Sequence, residues 1–109
     1  MTLANESKVA YFKKLKGRIF PLLPMREEGN TTIAVYLDSL LLELRGTMDE
    51  FKLQSDADFL VLYVSLSSLR SLLERINATS DSVEHESLCA MWRREVLKCT
   101  NIIHSRFTT

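Results

Sequence analysis

A chain of 109 residues has room for one hydrophobic core and about four helices, which excludes a two-domain architecture. Three glycines and two prolines are too few for a turn-rich sandwich, and an apolar share of 46% is ordinary for a globular domain, so composition favours an all-α fold. Lysine plus arginine balance aspartate plus glutamate at 14 each, without the overall basic surplus that marks a domain built to read nucleic acid.

The first helix is expected over residues 5–20, capped by Asn5 and stopped by Pro21 and Pro24. Its apolar stripe is Val9, Phe12, Leu15 or Lys16, and Ile19. Residues 22–30 read as an irregular connector with a turn at Gly29-Asn30, after which Thr31 or Thr32 caps the next helix. That second helix is expected over 31–53. Ile33, Leu37, Leu40, Leu41, Leu44, Met48 and Phe51 recur at three- and four-residue steps and face one core, whereas Val35, Leu42 and Leu53 fall near the opposite side, with Gly46 on the same seam.

Ser55, Asp56 and Asp58 form a helix-start cluster, with Ser55 and Asp58 at capping-box spacing, that opens a third helix over 56–77. Leu62, Leu66, Leu69, Leu73 and Ile76 form its stripe. Leu60, Val61, Tyr63 and Val64 cover the other sides of its first two turns, and Ser65, Ser67, Ser68 and Ser71 are small enough for a neighbour to approach closely. Asp81 with Glu84, or Ser80 with Glu84, opens a fourth helix over 81–106, whose stripe is Leu88, Trp92, Val96, Cys99, Ile103 and Phe107. Connections this short make successive helices antiparallel, so the expected architecture is an up-down four-helix bundle in a single domain, residues 1–109.

Charge is distributed unevenly along this bundle. Through Arg26 there are six basic residues and one acid, a balance of +5; residues 27–58 carry two basic and eight acidic residues, a balance of −6; the remainder is +1. A basic first helix beside an acidic second helix favours their pairing. The same basic face, Lys13, Lys14, Lys16 and Arg18 among Tyr11, Phe12 and Phe20, also suits phosphate, giving a module that binds nucleic acid or an anionic membrane surface as the alternative function.

His85 and Cys89 lie one helical turn apart, which raises a second alternative, a metal- or thiol-dependent regulator. The remaining Cys and His, Cys99 and His104, are more than two turns further along, so no three-ligand set forms and no metal or other cofactor is expected. Cys89 and Cys99 are about 15 Å apart along one helix, beyond disulfide reach, and read as free thiols of a reducing, cytoplasmic setting. The N-terminal residues show no apolar signal segment, and the longest apolar run, 59–64, is far below the roughly 20 residues of a bilayer span. Glycines only at 17, 29 and 46 cannot build a phosphate cradle, and no nucleophile elbow occurs, so no enzyme is expected.

The surplus apolar residues therefore carry the functional reading. Val35, Tyr36, Leu42, Leu53, Leu60, Tyr63 and Val64 are the expected partner-binding set, with specificity from Asp38, Glu43, Asp49 and Glu50 around them. The expected function is protein–protein contact, as an adaptor, inhibitor, immunity-type protein or regulatory subunit, either by docking a partner or as a homodimer.

Overall fold

The computed structural model describes residues 3–108, with side chains from Glu6 onward. Its elements in chain order are α1 (Leu3–Ile19), α2 (Leu22–Glu27), α3 (Ile33–Glu50), α4 (Ala57–Ala78) and α5 (Ser82–Phe107), with no strand among the described residues. Four long helices form the bundle and α2 closes one end. α5 packs against both α4 and α1, and α3 packs against α4. Side-chain pairs fix the directions: Arg18 meets Glu43 across α1 and α3, Arg70 meets Asp38 across α3 and α4, and Arg106 reaches Asp58 across α4 and α5. The last two pairs join the early part of one helix to the late part of the next, and along α1 and α3 Arg18 meets Tyr36 while Tyr11 meets Glu43, so the helices alternate up and down. The molecule measures 51 × 22 × 22 Å, an elongated shape that accommodates the roughly 39 Å length of a 26-residue helix such as α5.

The core follows the helical stripes. Phe12 of α1 stacks on Phe107 of α5 at a centroid distance of 4.2 Å and meets Phe59 of α4 edge-on at 6.4 Å, so three helices converge on one aromatic cluster. Toward the other end, Trp92 is fully buried and its indole N–H donates to the Leu22 carbonyl at 3.2 Å. That bond holds α2 against α5.

Several helix ends differ from the sequence expectation, and each difference has a local cause. Residues 22–30 are not irregular: α2 occupies 22–27 because Pro21 sits at its cap and Pro24 within its first turn, where a missing amide costs no helical hydrogen bond. The turn at Gly29-Asn30 closes α2 as a Schellman motif, with Gly29 at φ +70° and Asn30 N–H donating to the Met25 carbonyl at 2.9 Å. Thr32 precedes α3 without capping it; its N–H and hydroxyl both donate to Asn30 Oδ1, at 2.8 and 2.6 Å.

At the other end α3 stops at Glu50, three residues before the expected limit. Lys52 adopts the left-handed region at φ 57°, and Leu53 N–H donates back to the Met48 carbonyl at 2.8 Å, a second Schellman closure. This fold-back turns Leu53 into the core, where it is 3% exposed. α4 is capped by Asp56 rather than Ser55, its carboxylate accepting from Phe59 N–H at 2.9 Å. Asp81 caps α5 as expected, accepting from the Val83 and Glu84 amides. α1 extends from Leu3, so Asn5 lies within it rather than at its cap; the Asn5 side chain is outside the described residues.

Candidate functional site

The apolar residues singled out by sequence divide into three groups. Val35 and Leu42 of α3 are 68% and 69% exposed, and Val64 of α4 is 62% exposed, with Leu60 beside it on the same helix also open to solvent. Leu53 is a core residue for the reason just given and offers no contact surface. The two tyrosines are half-buried and engaged: Tyr36 donates its hydroxyl hydrogen to the Arg18 carbonyl, and the Tyr63 hydroxyl accepts from Arg45 Nε at 3.0 Å.

The α3 and α4 residues do not form one patch. Between them runs the α3/α4 seam, bridged by Arg45 to Tyr63 and by Arg70 to Asp38 at 3.0 Å. Val35 and Leu42 stand on a ridge on the α3 side of that polar seam. Asp49, Glu50 and Asp38 flank the ridge, and Ser39 and Gly46 keep it low beside Leu42. A Cβ placed on Gly46 meets nothing within 4 Å.

On the α4 side, Val64 leads into a groove that the sequence reading did not identify. Tyr63, Val64 and the small residues Ser67, Ser68 and Ser71 of α4 face Met91, Arg94 and Lys98 of α5 around about 660 Å³ of space. A second depression of about 540 Å³ continues along the same two helices past Val61, Leu97 and Ile102 to Arg106, and it shares Arg94 and Lys98 with the first. Val61 and Leu97 are exposed. The result is one apolar trough with Arg75, Arg94, Lys98 and Arg106 distributed along it and two acids, Glu95 and Asp58, among its linings. Its signal was present in the sequence: Leu97 falls off the α5 stripe, between Arg94 and Lys98 at helical spacing, an apolar residue that the bundle core does not use.

The basic residues of α1 are divided among different tasks. Lys13 and Lys14 are exposed, but Lys16 Nζ lies 3.4 Å from His104 Nδ1 of α5. Arg18 donates two hydrogen bonds to Glu43, at 3.0 and 2.8 Å, and Tyr11 donates a third to the same carboxylate at 2.7 Å. Burial pushes the Glu43 carboxyl upward, but the bonds from Arg18 and Tyr11 outweigh it and hold Glu43 below the usual carboxylate range. The Arg18 guanidinium is raised in turn by its bond to Glu43, and burial, with Glu43 adding to it, takes the Tyr11 phenol up to about 12. Arg18 thus ties α1 to α3, the pairing expected from the opposite charges of the two helices.

Around Cys89, Arg26 Nη1 donates to Sγ at 3.1 Å and His85 Nδ1 lies 3.8 Å away. Both cysteines are free and buried. Among the described residues no three His, Cys, Asp or Glu side chains converge as a metal would need, so His85 and Cys89 remain a pair. No described helix is long and apolar enough to cross a membrane. Comparisons with known protein families, with curated proteins and with solved structures return no match.

Proposed function

We infer that this four-helix domain is a non-enzymatic binding protein that recognises another protein through the α4/α5 groove, as an adaptor, inhibitor or regulatory subunit would. The observation that carries this reading is the placement of exposed Val61, Val64 and Leu97 along a trough whose two depressions share Arg94 and Lys98. Single exposed apolar residues are ordinary on a protein surface, whereas an apolar trough rimmed by charge is the anatomy of a protein contact. Each apolar side chain covered there contributes about 25 cal/mol per Å² removed from water, and the arginines and lysine set the charge of what is accepted. Two buried free cysteines support a reducing, cytoplasmic setting for this activity.

Capture from an extract of the source cells tests the reading. The parent chain is immobilised beside Val64→Glu/Leu97→Glu and beside Lys13→Glu/Lys14→Glu. A bound protein lost with the groove variant and retained by the α1 variant supports the proposal. Retention of nucleic acid or anionic vesicles that disappears with Lys13→Glu/Lys14→Glu and with rising salt overturns it in favour of a phosphate-binding α1, because counterion release makes such binding steeply salt-dependent.

A further inference from the structure

We propose that the α4/α5 groove accepts the α3 ridge of a second copy of this chain, so that the protein associates head to tail. The inference rests on the reading of the groove as a docking surface and adds its occupant. Three properties of the two surfaces match. Charge is the first: four basic residues, Arg75, Arg94, Lys98 and Arg106, against two acids, Glu95 and Asp58, run along the groove, while three acids, Asp38, Asp49 and Glu50, against one basic residue, Arg45, flank Val35 and Leu42 on the ridge. Asp49 and Glu50 have no ion pair within the described residues, nor do Arg75, Arg94 and Lys98, so both surfaces carry charges left unmatched within the chain.

Length is the second. From Val35 to Asp49 the ridge rises about 21 Å, and from Met91 to Arg106 the groove runs about 22 Å, at 1.5 Å per helical residue. Relief is the third. Val35 and Leu42 project two turns apart from a face kept low by Ser39 and Gly46, and the groove is shallowest in side-chain bulk where Ser67, Ser68 and Ser71 line it. Small residues facing larger ones allow two helices to approach at packing distance.

Ridge and groove are different surfaces of one chain, so the contact is heterologous and leads to rings or open chains rather than to a closed two-fold dimer. That geometry gives a decisive experiment, sedimentation velocity on the parent, on a ridge variant (Leu42→Lys/Asp49→Lys), on a groove variant (Arg94→Glu/Lys98→Glu) and on their equimolar mixture. All substituted positions are exposed, and far-ultraviolet circular dichroism verifies that each variant keeps its helices. The parent is expected to grow beyond the monomer with concentration, more so at low salt, while each variant alone stays at lower mass. The mixture is expected to form a pair of chains and to stop there, because the groove variant still has its ridge and the ridge variant still has its groove.

A parent that stays monomeric up to millimolar concentration overturns the proposal, as does a mixture that remains monomeric while the parent dimerises. The capture experiment separates the two levels of failure. A monomeric parent that still loses its captured protein in the groove variant leaves the docking surface standing with a different acidic partner; loss of neither overturns both.

Discussion

Leu53 and Leu42 are chemically identical side chains, read from the sequence as members of one surface, and the structure assigns them opposite consequences. Leu53 is 3% exposed and packs into the core behind the Schellman turn that ends α3. Truncation to alanine removes its buried methyl groups and leaves a cavity that the surrounding core fills only in part, which costs about 3 kcal/mol, within the range known for buried leucines. With a urea dependence of about 1.5 kcal/mol per M for a domain of this size, the unfolding midpoint falls by about 2 M. Leu42 is 69% exposed, and Leu42→Ala changes stability by no more than about 0.5 kcal/mol, since leucine and alanine are both good helix formers. Urea titrations followed by circular dichroism at 222 nm, at low micromolar concentration, compare the two. Equal losses for the two variants, or a Leu53→Ala midpoint within about 0.3 M of the parent, would refute the division into core and surface.

Backbone conformation gives an opposite sign at Lys52, the single non-glycine residue at positive φ among those described. Lys52→Gly removes that strain and raises stability by about 0.5–1 kcal/mol in the same titration. Gly17 lies in α1 with open space where a Cβ would go, so Gly17→Ala adds about 0.5–1 kcal/mol. Asp56→Ala removes the acceptor for the Phe59 amide and lowers stability by about 1 kcal/mol. Burial, assisted by the Glu95 charge, takes the Cys99 thiol from 9.0 up to about 12. The folded state keeps this proton where the unfolded chain releases it, so stability is whole below pH 9 and falls as pH rises toward 12, by up to about 1.4 kcal/mol per pH unit. Tyr11, raised from 10.0 to about 12, adds its own loss above pH 10. Between pH 9 and 10 the urea midpoint of Cys99→Ala is therefore expected to change less than that of the parent; equal slopes would contradict the assignment.

The legible part of the fold was the part governed by helical periodicity. Steps of three and four residues placed Leu37, Leu40 and Leu44, then Leu62, Leu66 and Leu69, then Trp92, Val96 and Cys99 on core faces, and all nine are buried. Helix ends depended on backbone choices that residue type signals weakly. A lysine in the left-handed region carries no glycine flag, so the end of α3 and the inward turn of Leu53 stayed hidden, and two prolines concealed α2 although both occupy positions that need no amide. The pairing of basic α1 with acidic α3 was readable as a tendency; that Arg18 and Tyr11 converge on Glu43 required their three-dimensional register. The groove was less readable still, because its walls come from two helices, and only Leu97 marked the α5 side.

Methyl-labelled nuclear magnetic resonance across a dilution series tests the docking account most directly, since it reads each apolar side chain separately. Val35 and Leu42 on the ridge and Val61, Val64 and Leu97 at the groove are expected to shift together as concentration rises, while buried Leu37 and Leu62 hold their positions. Methyl signals that stay constant over the whole range, or that move at Val83 and leave both ridge and groove unchanged, would contradict it.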